Sequence, residues 1–172
     1  MFFLEHFSGW TPLMWASFRR NPEVIAALVA AKADVDIADK FGRTALHLVV
    51  ESTEIAPAAP CIAILVQGGA SVDRLDRTGN AALHNAVTRG DVSATRRLLE
   101  CGADVNRFNS DQMTPLALAL SGESSAAIVK VLLENGANVR INAPNGRTML
   151  DLAEMRGATS EIQDMLRSVY LR

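Results

Sequence analysis

The sequence predicts an all-α solenoid built from stacked helix pairs. The first observation is a repeat. The stretch Gly79-Asn80-Ala81-Ala82-Leu83-His84 is continued by Leu98-Leu99-Glu100-Cys101-Gly102-Ala103-Asp104-Val105-Asn106. Its first half recurs as Gly9-Trp10-Thr11-Pro12-Leu13, Gly42-Arg43-Thr44-Ala45-Leu46-His47, Met113-Thr114-Pro115-Leu116 and Gly146-Arg147-Thr148-Met149-Leu150. The Thr-type position falls at 11, 44, 81, 114 and 148, so the steps are 33, 37, 33 and 34 residues. A period of about 33 marks a stacked repeat architecture and outranks any local assignment. The second observation is the apolar pattern: Leu83, Ala86 and Val87, then Leu98 and Leu99, fall on one side of their helices. A single helix pair cannot bury that face, but a stacked neighbour can. The third is composition. Aromatics are only 5% and Ala and Leu carry the apolar content, which suits closely packed helices.

The elements follow in order. Thr11-Pro12 starts a helix, because Thr accepts a bond from a free amide and Pro fits the first helical position. That helix should run to about Arg20. Asn21-Pro22-Glu23 breaks it and caps a second, Val24 to Ala31. Asp39-Lys40-Phe41-Gly42 is a turn, followed by a helix from Ala45 to about Ser52. Glu51 to Pro60 holds the four extra residues and two prolines, an enlarged loop on the rim opposite the turns, and the next helix is expected from about Cys61 to Gln67. Asp76-Arg77-Thr78-Gly79 turns into helices Ala82–Arg89 and Val92–Glu100. Asn109-Ser110-Asp111-Gln112 precedes Pro115–Leu120 and Ser125–Glu134. The last pair is expected at Met149–Arg156 and Ser160–Leu171. The whole reads as one domain over 1–172, with a lead-in 1–9 and repeats at about 10–38, 39–75, 76–108, 109–142 and 143–172. Phe2, Phe3, Leu4 and Phe7 of the lead-in are expected to pack over the end of the stack.

Composition excludes several classes. A chain of 172 residues, 49% hydrophobic, buries a sizeable core and is not a disordered segment. A net charge of −2 does not by itself point to nucleic acid or a membrane. The two cysteines, Cys61 and Cys101, stand in no CxxC pair, so a reducing compartment, cytoplasm or nucleus, is expected. Met1-Phe2-Phe3-Leu4 has no basic lead and stops at Glu5-His6, unlike a signal peptide. No stretch approaches the roughly 18 apolar residues of a membrane span.

With five copies in register, Gly-x-Thr-Pro-Leu-His, the Leu-Leu of the second helix and Gly-Ala-Asp-Val-Asn together resemble ankyrin repeats over about residues 9–170. The departures are Lys32 and Gln112 at turn glycines, Ala81 for Thr, and Met14, Ala117 and Asp151 for His. The resemblance implies stacked helix pairs with short β-hairpin fingers along one edge, and a protein that binds other proteins rather than catalysing. It also implies that His47 and His84 bond backbone between repeats. A shared zinc would need both rings at one point with further ligands, so no metal, cofactor or catalytic residue is assigned. Asp39, Asp76 and Asp104 read as turn-formers.

Function then falls to positions that the repeat leaves free. In ankyrin-like stacks these are the finger tips and the concave side of the first helices. The candidate partner-binding set is Trp10, Phe18, Arg19, Lys40, Phe41, Arg43, Leu75, Arg77, Asn80, Arg89, Phe108, Met113, Arg147 and Arg156. Seven of the groove residues are basic against Glu51 and Asp111, an excess of five positive charges. Aromatic and Arg anchors are typical of interface hot spots. The expected partner is another protein offering an acidic segment with apolar anchors to a monomeric, membrane-free binder. Two alternatives remain open: a stand-alone inhibitor of an enzyme such as a kinase, and nucleic acid held in the basic groove, which the acidic net charge disfavours.

Overall fold

Four of the five first helices begin at the predicted threonines, each in extended backbone at the N-cap. Thr11, Thr114 and Thr148 accept from the amides of Met14, Ala117 and Asp151 at 3.1–3.2 Å. The computed structural model describes residues 9–122, 125–144 and 146–171. The expected packing of Phe2, Phe3, Leu4 and Phe7 therefore lies outside the described residues.

Ten helices are present among the described residues. They are α1 Pro12–Phe18, α2 Pro22–Ala30, α3 Ala45–Glu51, α4 Ala58–Gln67, α5 Ala82–Thr88, α6 Val92–Glu100, α7 Pro115–Ser121, α8 Ala126–Glu134, α9 Met149–Met155 and α10 Ser160–Tyr170. They pack as five consecutive pairs. The odd-numbered helices form one row and the even-numbered helices a second, each touching the next in its own row and its mate in the other. The core lies between the rows. The motif leucines Leu13, Leu46, Leu83 and Leu116 sit there with Ile25, Ile62, Leu98 and Leu132, all buried. Each such side chain contributes about 2 kcal/mol of burial. This is the predicted all-α solenoid.

The helix boundaries fall within one or two residues of expectation with one exception. α4 begins at Ala58, three residues before Cys61. Pro60 is no obstacle, because it sits in the first turn, where its missing N–H would have had no intrahelical partner. The enlarged loop is thus shorter, ending at Pro57.

The fingers are reduced to their turns, and no strand is assigned among the described residues. In the first, the Asp39 amide donates to the Arg43 carbonyl and the Gly42 amide to the Asp39 carbonyl, both at 2.9 Å. The same pair of bonds recurs at Asp76/Asn80, Asn109/Met113 and Ala143/Arg147. Side chains reinforce them. Asp39, Asp76 and Asn109 each accept from two amides of their own turn through one oxygen. The third turn-former of this series is therefore Asn109. Asp104 caps a different turn, accepting from the Asn106 amide at 2.9 Å.

Adjacent fingers touch closely. The Arg77 amide donates to the Phe41 carbonyl at 2.8 Å. A Cβ on Gly42 would lie 2.8 Å from that same nitrogen, and Gly42 has φ +79°. Three departures from the repeat keep the left-handed geometry without glycine: Arg20 at φ 46°, Lys32 at φ 64° and Gln112 at φ 56°. Each carries a strain of about 1 kcal/mol. Replacing Gly42 by Ala is expected to cost more than about 1 kcal/mol, while Gln112→Gly should raise stability by about 0.5–1 kcal/mol. Urea unfolding monitored by circular dichroism measures both, and equal signs for the two variants would contradict this account.

Candidate functional site

The finger row is held to the helices by the two histidines. The Thr44 amide donates to His47 Nδ1 at 3.2 Å and the Ala81 amide to His84 Nδ1 at 3.1 Å. Both Nδ1 atoms must therefore present a lone pair, so the proton sits on Nε2. Those Nε2–H groups donate to the Asn80 and Arg107 carbonyls at 3.1 and 3.0 Å, each in the next finger. Burial is the main cause that holds both imidazoles below the ordinary value of 6.5.

A second cluster lies where the first finger meets Trp10. Arg43 binds Asp39 through Nε and Nη2 at 2.9 and 2.7 Å, and Glu51 through Nη1 at 2.9 Å. Asp39 also accepts from Trp10 Nε1 at 3.1 Å. Burial alone would raise the Asp39 carboxyl, but the guanidinium and two backbone N–H groups outweigh it and hold it below the usual range. The Arg43 guanidinium lies 4.9 Å from the Phe41 ring centroid and 5.7 Å from that of Trp10. Trp10 in turn meets Trp15 and Phe18 edge-on, at 5.0 and 5.3 Å.

A third cluster was not legible beforehand. Arg20 occupies the left-handed position after α1, φ 46°, where later pairs have Gly90 and Gly157. Its guanidinium donates to the carbonyls of Val49, Ser52, Glu54 and Ala56 at 2.9–3.3 Å. Arg19 bonds the Glu54 carboxylate at 2.8 Å. The enlarged loop is thus pinned to the first pair, with Ile55 at its tip wholly exposed. The sequence signal was an Arg standing where the repeat prefers Gly.

A profile described as ankyrin repeats (3 copies) matches residues 2–76 and 58–143. The chain belongs to the ankyrin-repeat family. It is 31% identical over 159 residues to a B-cell lymphoma 3 protein homolog of Mus musculus, covering 92% of this chain and 35% of that protein. It is 33% identical over 146 residues to a putative palmitoyltransferase ZDHHC13 of Danio rerio, covering 84% of this chain and 22% of that protein. It is 29% identical over 150 residues to a nuclear factor NF-kappa-B p105 subunit of Gallus gallus, covering 87% and 15%. The chain therefore spans about a third or less of the length of these relatives.

An ankyrin-repeat protein of this kind is a protein–protein interaction module, and such repeats are typically non-enzymatic. Among the described residues no group of three or more His, Cys, Asp or Glu could hold a metal ion. No helix there is long and apolar enough to cross a membrane.

The candidate partner-binding residues divide by what they touch. Phe41, Leu75 and Phe108 project from three successive fingers, 37%, 36% and 43% exposed. Leu75 and Phe108 line one open cleft of about 380 Å³ with Asp104, Asn106 and Arg107. Arg147 and Arg156 meet in a second, of about 290 Å³, with Ser121, Leu152 and Met155. Lys40 lies 5.2 Å from the Phe41 ring centroid. Arg77 is exposed, and Arg89 donates only to the Ser52 carbonyl, at 3.4 Å. The others are drawn into the scaffold. Asn80 bonds Thr78 and Asn109 while its carbonyl receives His47, and Met113 packs against the core. Phe18 is half-buried beside Trp10. Arg43 and Arg19 are neutralised by Asp39, Glu51 and Glu54. Asp39 and Glu54 were missing from the expected charge count, and they reduce its excess of five to three. Asn106, at the foot of the third finger, spans two pairs, donating to the Gly136 carbonyl and accepting from the Asn138 amide.

Two outcomes follow from these contacts. Because the histidines titrate below 6.5 in the fold, their contribution is full above that pH and lost as the pH falls through the folded values. The melting temperature should be flat above pH 7 and fall on acidification towards pH 5. A His47→Ala/His84→Ala variant should melt lower at neutral pH and lose most of that pH dependence. Removing the Asp39 carboxylate by Asp39→Ala leaves Arg43 with one partner and frees two turn amides, at a cost of about 2–3 kcal/mol in urea unfolding.

Proposed function

We propose that the chain binds a partner protein through its finger row and the first-helix face, and that the partner offers an acidic segment with apolar anchors. The observation that carries this reading is the line of exposed apolar side chains Phe41, Leu75 and Phe108, one per finger. Monomers seldom expose aligned apolar groups without a use for them. Arg77 stands in the same row, and Arg147 and Arg156 share a cleft at the far end. Arginine beside aromatic anchors is what interface hot spots favour. Arg43 enters the reading differently from the rest, orienting Phe41 and Trp10 rather than meeting the partner's charge. We place the protein in the cytoplasm or nucleus as a monomer. Its two cysteines are unpaired, which suits a reducing compartment.

The test uses the full chain as bait in native lysate, followed by mass spectrometry. Leu75→Asp/Phe108→Asp should lose the partners that the wild type retains, and Arg77→Glu should weaken them by about tenfold and lower their salt sensitivity. Ser93→Lys on the exposed side of α6 should change nothing. Retention of every partner by the Leu75→Asp/Phe108→Asp variant would remove the finger row from the interface.

A further inference from the structure

The two ends of the stack are built differently. Val24 on α2 is 45% exposed, whereas the residues at the same place in the next three pairs, Cys61, Ala94 and Ile128, are all 0% exposed. Leu28 is half-buried where Leu65, Leu98 and Leu132 are fully buried. Pro12 on α1 is exposed where Ala45, Ala82 and Pro115 are buried. Ala27 is exposed where Ile64 and Arg97 are half-buried and Val131 is buried. What the inner pairs have and the first lacks, among the described residues, is a preceding pair. These side chains are therefore the receiving half of an inter-repeat interface, and the set contains no charge.

The other end is closed. Val50, Val87 and Leu120 are buried in their pairs, but their counterpart Glu154 is exposed. Ile25, Ile62, Thr95 and Val129 are buried, and the counterpart is Gln163, half-buried. Val29, Val66, Leu99 and Leu133 pack against the core, and the counterpart is Arg167, which reaches Glu154 at 3.7 Å. A repeat array needs a polar outer face at each end to stay soluble. α9 and α10 supply one, and α1 and α2 do not.

We propose that the exposed face of α1 and α2 is a docking surface for one further ankyrin-type helix pair, stacked ahead of them. Registry fixes the occupant. At Pro12, Val24 and Leu28 the face repeats the apolar surface that each inner pair turns to the pair before it. The matching surface is the one α2 itself turns forward, the Ile25 and Val29 ridge, with Val29 lying against Gly68 of the next pair. Docking continues the interfaces already present in the stack and lengthens the finger row by one beyond Trp10. It goes beyond the proposed partner site, since it adds surface to that row without depending on what the row binds.

The experiment attaches a consensus ankyrin-type helix pair to the full chain, either before residue 1 or after residue 172, and measures melting by calorimetry. The forward attachment should raise the melting temperature by about 5 °C or more, and the rear attachment should not. Val24→Asp should abolish the forward gain and leave the melting of the unextended chain within about 1 °C, since an acid in the first turn of α2 suits the helix. No forward gain, or an equal gain at both ends, overturns the proposal. So does a lower melting temperature for unextended Val24→Asp, because the face is then already covered by residues 1–8. Dimerisation of the unextended chain in sedimentation, lost in Val24→Asp, overturns it in favour of a second copy.

Discussion

The hydrogen bond from one pair's histidine to the next finger's carbonyl is the constraint on which the middle of the stack, from the second pair to the fourth, depends. It works because a single imidazole serves two backbones. Nδ1 takes the amide at the start of its own helix, and that forces the Nε2 proton outward to the neighbour's carbonyl. Helix start and inter-repeat spacing are thereby set by one ring. Ala81 has no hydroxyl to cap α5, yet its amide is satisfied, because His84 performs that task. The finger turns then inherit their position from the carbonyl that they lend.

Function is arranged around this scaffold by exclusion. The side chains of Asp39, Asp76 and Asn80 are spent on turns and neighbouring fingers. Exposed at the finger edge are the apolar Phe41, Leu75 and Phe108 and the cationic Lys40 and Arg77, with Asp111 the acidic exception in the third turn. A partner meets preorganised side chains at little cost in ordering.

Much of the architecture was legible in the sequence because its signals are periodic. The Thr-type spacing gave the helix starts, and the paired histidines could be assigned to structure before any contact was visible. The misses have local and long-range causes. Asp39 was read as a turn-former, which it is, but its second oxygen also holds Arg43 and Trp10, and spacing says nothing of that. Arg19 looked like a groove cation until the enlarged loop brought Glu54 beside it. The earlier start of α4 was hidden because Pro60 looks like a breaker until its place in the first turn is known. The chemistry of the partner site is read from exposure and charge alone, since nothing in a repeat period encodes its occupant.

Arg20 has a consequence for how the molecule comes apart. In a solenoid each unit normally speaks only to its neighbours, so unfolding can proceed unit by unit. Arg20 ties the first pair to the second through four carbonyls and reaches Asp91 of the third at 3.8 Å, while Arg89 of the third returns to Ser52. The first three pairs are laced into one block. Beyond His84 the ring donor is gone, replaced by Ala117 and Asp151. Behind this block the third and fourth pairs are joined through Asn106 and the fourth and fifth through Arg140 on the Tyr170 carbonyl, so the tie that crosses two repeat boundaries lies at the front.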